Sequence, residues 1–129
     1  MKYLIDTDVL INYLRGKTKL DEKLIDAGSG ISIITLGELI YGAYKSSDLQ
    51  KSINLTKDFI KESGVRIIDT NQEIIYSFAQ IKAGLEKNGI RLEDFDLLIG
   101  ATAKAHSLIL VTNNIRHFSR IPNLQIAKG

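Results

Sequence analysis

The sequence contains no cysteine and only one proline, and each scarcity narrows what the protein can be. Without cysteine there can be no disulfide, no thiolate zinc site and no cysteine nucleophile. With ten scattered glycines and no low-complexity segment, nothing in the chain is typical of disorder. The composition, 44% hydrophobic and 25% charged over 129 residues, indicates one compact domain with its own core.

Long apolar runs are also missing. The longest are far shorter than a membrane span, and the first residues enter a predicted strand without a signal-peptide pattern, so we expect a cytoplasmic protein. The net charge of +2 permits contact with nucleic acid without arguing for it. The two histidines, His106 and His117, have no partner at metal-ligand spacing, and we interpret them as surface or helix-end residues.

Short apolar runs alternate with helical patterns along the whole chain. The runs predict a strand that stops at Asp6, further strands at 31–34, 65–68 and 108–111, and a short edge strand at 124–126. Helices connecting such strands produce right-handed crossovers and a parallel sheet covered on both faces. The predicted fold is a three-layer α/β/α sandwich with a mainly parallel sheet of four to five strands, forming one domain over residues 1–129.

Carboxylates stand at or near the ends of these predicted strands. Asp6 ends the first strand, Glu38 lies in the first turn of the helix after the second, and Asp96 begins the helix that leads to the fourth. Because parallel strands end at one edge of the sheet, and the helix of Asp96 must start at that edge, we expect the three to converge. The segment Thr112-Asn113-Asn114 follows the fourth strand and should join them.

The phase of its helix supports Asp96 separately. Asp96, Gly100 and Ala103 share one stripe of that helix. Small residues beside a carboxylate let a helix lie close to the sheet, which would carry the Asp96 side chain inward.

A cluster of carboxylates requires a compensating charge. Two carboxylates about 4 Å apart repel by about 4 kcal/mol at an effective dielectric of ~20. Hard oxygen ligands without histidine or cysteine suit Mg²⁺ or Mn²⁺. Such an ion can activate water and stabilise a phosphodiester under attack, so the pattern indicates metal-assisted hydrolysis of a phosphate ester.

Each residue also has a purely structural interpretation. Glu38 could complete a capping box with Thr35, and Asp8 and Asp94 could cap their helices. Tyr41 and Tyr44 could be packing or interface residues, or could stack on a base.

Four segments taken together resemble the PIN-domain family, and most of all the VapC toxins of type II toxin–antitoxin systems. They are Leu-Ile-Asp-Thr-Asp-Val-Leu-Ile at 4–11, Ile-Ile-Thr-Leu-Gly-Glu-Leu at 33–39, Asp-Leu-Leu-Ile-Gly-Ala-Thr-Ala at 96–103 and Leu-Val-Thr-Asn-Asn-Ile-Arg-His-Phe at 110–118. The resemblance covers nearly the whole chain. It implies an endoribonuclease dependent on Mg²⁺ or Mn²⁺, often a homodimer, inhibited by a cognate VapB-like antitoxin.

The resemblance also implies roles for individual residues. Asp6, Glu38 and Asp96 would bind metal and activate water in RNA hydrolysis, with Thr112 as a supporting polar contact. Asn114 stands where many family members carry a fourth catalytic acidic residue, so this site has one charge fewer and a tightly held second metal is not expected.

Two cationic side chains are candidate contacts for RNA phosphates. They are Arg116, which follows the fourth predicted strand, and Lys104, which lies in the preceding helix.

Three other functions fit parts of the pattern. Asp6 and Asp8 also match the strand end of haloacid-dehalogenase-like phosphatases, with Asp6 as nucleophile, but the late acidic pair of that family is missing. A PIN fold that only binds partners would not need the acidic triad. A receiver domain could use Asp69 as phosphoacceptor, but it lacks the late lysine.

Overall fold

Five short strands form one all-parallel sheet in the computed structural model, which describes residues 1–129. The strands are β1 (Tyr3–Ile5), β2 (Ser29–Ser32), β3 (Arg66–Ile68), β4 (Ile109–Thr112) and β5 (Ile126–Lys128). Their order across the sheet is β3-β2-β1-β4-β5, so β1 lies at the centre between β2 and β4. The predicted three-layer fold with a parallel sheet is confirmed, and the sheet has five strands.

Seven helices cover the two faces of this sheet. They are α1 (Thr7–Leu14), α2 (Glu22–Asp26), α3 (Ile33–Lys45), α4 (Leu49–Ser63), α5 (Gln72–Lys87), α6 (Asp94–Ala105) and α7 (Ile115–Phe118). Several begin at a residue whose side chain accepts hydrogen bonds from the first turn, as Asp48 does for α4 and Asn71 for α5. None of the helices is long and apolar enough to cross a lipid bilayer.

Alternating side chains of the central strands pack into two separate hydrophobic cores, one on each face of the sheet. Leu4 and Leu110 pack with α5, α6 and α7 on one face, whereas Ile5 and Val111 pack with α1, α3 and α4 on the other. Successive residues of a strand point to opposite faces, so continuously apolar strands serve both cores at once. This double burial holds the carboxyl ends of β1 and β4 side by side.

The prediction for the second strand is wrong at its C-terminal end, and this changes the turn of α3 in which Glu38 lies. The strand ends at Ser32, whose hydroxyl accepts hydrogen bonds from the N–H groups of Ile34 and Thr35, and α3 begins at Ile33. A capping serine turns the chain into a helix at once, despite the apolar residues that follow. Glu38 therefore lies in the second turn, and Thr35 is a buried helical residue instead of a cap.

The last two strands are displaced towards the C-terminus. β4 begins one residue later than predicted and β5 two residues later, at Ile126. Because β4 extends through Thr112, that hydroxyl stands at the carboxyl end of a central strand, where it faces the carboxylates of the neighbouring elements.

Close packing of α6 accounts for its single glycine, Gly100. A Cβ atom on Gly100 would lie 2.6 Å from the Cδ1 atom of Ile121, inside the core beside α7. The backbone of α6 can approach this segment because position 100 has no side chain. Asp96, one turn earlier, is carried inward by the same approach, as the small-residue stripe predicts.

Candidate active site

Asp6 lies at the centre of the carboxyl edge and is only 5% exposed. Its Oδ1 accepts a hydrogen bond of 2.8 Å from the N–H of Thr7, so Asp6 itself is the N-cap of α1. Its Oδ2 accepts a bond of 2.8 Å from the hydroxyl of Thr112 at the end of β4. One carboxylate is thus held from two elements, and the orientation of its oxygens is set by the fold.

Glu38 reaches the same edge from α3. Its Oε1 accepts a hydrogen bond of 2.7 Å from the hydroxyl of Thr7, and that hydroxyl also lies 3.0 Å from the hydroxyl of Thr35. A hydroxyl has one proton and a carboxylate only accepts, so Thr7 donates to Glu38 and accepts from Thr35. The residue after Asp6 therefore connects the first carboxylate to the second.

Asp96 approaches from the first turn of α6, half-buried beside α7. Its Oδ2 lies 2.9 Å from Nε2 of His117, an ion-pair distance without the alignment of a hydrogen bond. Asp8, in the first turn of α1, is the next acidic neighbour and accepts a hydrogen bond of 3.3 Å from the N–H of Asn113. The carboxylates of Asp6, Glu38 and Asp96 are thus brought to one edge of the sheet.

Burial and neighbouring negative charges raise the pKa values of two of these carboxylates, Asp6 and Asp96. Burial and the negative charge of Asp8 raise the pKa of Asp6 to about 7, even though the hydrogen bonds from Thr112 and Thr7 oppose the shift. Burial also raises the pKa of Asp96; His117 counteracts that rise, and the charges of Glu93 and Asp8 add to it. Raised carboxyl pKa values in a cleft indicate negative charge that the protein alone does not neutralise.

Two members of this cluster have other roles than the sequence suggested. The prediction that Asp8 caps a helix is wrong because Asp6 already caps α1, which leaves Asp8 in the first turn among the other carboxylates. His117 faces Asp96 instead of serving only as a surface or helix-end residue. The repeat of aspartate at positions 6 and 8 was a signal for Asp8, whereas no local pattern could pair His117 with a residue of another helix.

Asp94 is also corrected by the structure. It is the first helical residue of α6, after the N-cap Glu93, and its Oδ1 forms an ion pair of 2.8 Å with Nζ of Lys82. Its carboxylate therefore points towards α5 and away from Asp96, which is what two positions of helical rotation require.

The remaining candidates divide by distance from the edge. Thr112 donates to Asp6 and accepts from the N–H of Asn114, which is 3.0 Å away. Asn114 and Arg116 are exposed beside His117 and line a pocket there. Lys104 lies two turns beyond Asp96, about 12 Å along α6, and lines a different pocket near the opposite edge of the sheet. The structure does not bring Lys104 to the site.

One of the two aromatic candidates, Tyr41, lines a wider pocket next to Glu38. Tyr41 and Phe95 border this pocket, with Thr7 and Glu38 in its wall, and its volume is about 600 Å³. Tyr41 and Tyr44 are both largely exposed, so neither belongs to the core. Their roles as interface or base-stacking residues stay predictions.

The donor set is compatible with a hard divalent cation. The converging groups offer only carboxylate, hydroxyl and amide oxygens as ligands, apart from His117, and such oxygens suit Mg²⁺ or Mn²⁺. No three acidic or histidine side chains are close enough together to form a metal site by themselves. An ion held here would keep water ligands, as Mg²⁺ usually does in proteins.

The fold is a parallel sheet with acidic residues at its carboxyl edge, and comparison with known sequences identifies the family to which this arrangement belongs. Residues 3–124 match the PIN domain, so the chain belongs to the PIN-domain family. Among its relatives, the tRNA(fMet)-specific endonuclease VapC of Salmonella typhimurium is 32% identical over 98% of this chain and 96% of its own. The ribonuclease VapC1 of Methanocaldococcus jannaschii is 36% identical over 93% of this chain and 81% of its own.

Solved structures agree with this assignment. VapBC2 from Rickettsia felis, crystallised with a DNA fragment from its promoter, contains a chain that superposes with a TM-score of 0.92. That chain is 30% identical, and the match covers 100% of the present chain and 99% of the other. The resemblance to the VapC group noted from the sequence is therefore confirmed.

Proposed function

We propose that the protein is the endoribonuclease toxin of a VapBC-type toxin–antitoxin system and hydrolyses RNA phosphodiester bonds with a divalent metal ion. The observation that carries the proposal is the buried carboxylate of Asp6, whose pKa is raised to about 7 beside Asp8. A charge of this kind destabilises the fold unless a cation or a proton occupies the site. The relatives named endonuclease or ribonuclease supply the reaction type.

Asp6, Glu38 and Asp96 are the residues we propose as metal ligands. When bound, Mg²⁺ or Mn²⁺ would supply Lewis acidity and lower the pKa of a water molecule. The threonines orient the ligands: Thr7 and Thr112 donate to Asp6 from two sides, and the Thr7 hydroxyl donates to Glu38. Such preorganisation keeps the acceptor oxygens in place before substrate arrives.

Asn114 is proposed as the catalytic group on the β4 side. It is the N-cap residue of α7, two residues after β4, and its backbone N–H donates a hydrogen bond to the hydroxyl of Thr112. Its side-chain amide can donate a hydrogen bond to a phosphate oxygen, which a carboxylate at this position could not do. The lower negative charge favours one tightly bound metal ion over two.

The test is RNA cleavage by the purified protein, assayed with EDTA, Mg²⁺ or Mn²⁺. We expect cleavage only with a divalent ion, and a loss of about 10²-fold or more in kcat for Asp6→Asn and for Asp96→Asn. Asp94→Asn is the matched control, because it lies in the same turn as Asp96 but points to Lys82. Cleavage that survives both site substitutions, or a preference for small phosphomonoesters, would refute the assignment.

We also propose a VapB-like antitoxin as the partner and a homodimer as the assembly, both acting in the cytoplasm. Solved relatives are VapBC complexes, which supports the antitoxin. Ile75 and Tyr76 on α5 are exposed apolar side chains that a second copy could cover. Co-expression with the adjacent short reading frame should yield a complex in which RNA cleavage is suppressed. Light scattering of the toxin alone should give twice the mass of one chain.

A further inference from the structure

Three arginines surround a pocket on the α7 side of the acidic edge. Arg91 comes from the loop between α5 and α6, and Arg116 and Arg120 come from α7 and the turn that continues it. The pocket has a volume of about 200 Å³, and its remaining walls are Leu92, Asn114 and His117. We refer to these six residues as the arginine pocket.

The guanidinium groups of the arginine pocket have no acidic partners. The two close contacts between basic and acidic side chains join Lys82 to Asp94 and His117 to Asp96, and neither includes an arginine. Arg116 and Arg120 are four residues apart, a spacing at which like charges on a helical turn repel. Three exposed arginines without ion-pair partners around one concavity produce a local positive potential, which is the arrangement expected of an anion-binding site.

The arginine pocket shares two walls with the proposed active site. The N–H of Asn114 donates to Thr112, whose hydroxyl donates to Asp6. His117 lies between the arginines and Asp96, with its Nε2 2.9 Å from the carboxylate. An anion bound in the arginine pocket would therefore lie next to the cluster of carboxylates but outside it.

We propose that the arginine pocket binds a backbone phosphate of the RNA substrate, adjacent to the phosphate that is cleaved. This inference rests on the proposed ribonuclease function and adds the position of the bound strand. The acidic edge repels a phosphodiester, and the net charge of +2 gives little general attraction, so binding requires a local source of positive charge. Arginine forks match the geometry of phosphate oxygens, and such contacts position the strand without reading its sequence.

Binding in EDTA separates strand recognition from cleavage. The probe is a fluorescent single-stranded RNA of about 20 nucleotides, titrated with wild type, Arg116→Gln, Arg120→Gln and the double variant between about 50 and 200 mM salt. The matched control is Arg66→Gln, since Arg66 is an exposed arginine on β3, three strand spacings or about 14 Å from β4. Circular dichroism of each variant verifies that it is folded.

We expect each substitution in the pocket to weaken binding by about tenfold, the loss that follows from one charged hydrogen bond. The slope of log Kd against log salt should fall by about 0.7 for each phosphate contact removed. Arg66→Gln should bind like wild type. Equal affinities and slopes for all the variants would overturn the proposal, as would a loss confined to antitoxin binding, which would make the pocket a protein-binding site.

Cleavage kinetics then locate the phosphate. In Mn²⁺ the pocket variants should raise KM with little change in kcat, because the contact is present in both ground state and transition state. A neutral methylphosphonate linkage placed next to the cut site should weaken the binding of RNA to wild type. It should not weaken the binding of RNA to the double variant any further, because the arginine contact is already lost there. One contrary result is that wild type cleaves RNA while Asp6→Asn does not, and yet a methylphosphonate at every position tested affects wild type and the double variant equally. That result would refute the phosphate-binding role of the arginine pocket and leave the proposed ribonuclease function intact. If Asp6→Asn still cleaves, the proposed function is wrong as well.

Discussion

Asp6 combines a structural and a chemical role in one side chain. Its carboxylate caps α1 through the N–H of Thr7 and also receives the hydroxyl of Thr112, so it is anchored to the sheet and to a helix. An N-cap carboxylate is favoured by the partial positive charge of the helix end. Here burial and Asp8 outweigh that benefit, and the pKa rises. Asp6 therefore organises the site, but burial of its negative charge lowers the stability of the fold.

This cost predicts how stability depends on pH. Because the pKa of Asp6 is about 7 in the folded protein and near 3.8 when unperturbed, the folded state holds an extra proton between these values. Its contribution is most favourable below about pH 4 and is lost as pH rises to about 7, by roughly 4 kcal/mol at most. Asp6→Asn removes this titration. The free energy of unfolding of the variant should therefore increase relative to that of wild type as the pH rises.

Urea denaturation in EDTA at about pH 5 and pH 8 measures the effect. We expect Asp6→Asn to be relatively more stable at the higher pH. In a second series at about pH 8, with Mn²⁺ in place of EDTA, the ion should stabilise wild type much more than the variant. A difference between the two proteins that is the same at both pH values would contradict the role of buried charge.

At the scale of elements, the N-terminus of α3 decides where Glu38 stands. Ser32 ends β2 and caps α3, which buries Thr35 against Thr7 and brings Glu38 over the Thr7 hydroxyl one turn later. The apolar run 31–34 favours a longer strand by composition, but a capping bond satisfies two helical N–H groups at once. Local sequence therefore located the carboxylate near the edge but misplaced it by about half a turn.

Two helical glycines provide a matched test of the close approach of α6. Gly84 on α5 has open space where a Cβ would be, whereas a Cβ on Gly100 would lie 2.6 Å from Ile121, which is 2% exposed. Gly84→Ala should raise the free energy of unfolding by about 0.5–1 kcal/mol through helix propensity. Gly100→Ala should instead lower it by about 1 kcal/mol or more, because the core beside Ile121 is already full.

Chemical denaturation of both variants gives the comparison directly. If Gly100→Ala were stabilised as much as Gly84→Ala, α6 would not be packed as tightly as the structure indicates, and the inward position of Asp96 would lose that support.

At the scale of the whole molecule, both cores are built on the same strands. Leu4 and Ile5 of β1, and Leu110 and Val111 of β4, belong to opposite faces, so neither core can be lost while the other keeps its sheet. We predict that the chain is one cooperative domain. Thermal unfolding followed by far-ultraviolet circular dichroism and by fluorescence of the five tyrosines should give one shared midpoint. Two separated midpoints would indicate independent units.

The sequence alone determined the order of strands and helices, the edge of the sheet at which chemistry would occur, and the residues Asp6, Glu38 and Asp96 that the fold brings there. It could do so because apolar runs, caps and strand-end carboxylates are local signals, and parallel topology turns them into a shared edge.

The tertiary structure decided which other side chains meet at that edge. His117 lies against Asp96 and the arginine pocket joins Arg91 to α7, whereas Lys104 is carried away to the far end of its helix. These outcomes depend on how closely α6 and α7 approach and on the angle between them. Such contacts join residues far apart in the chain, so no short pattern specifies them.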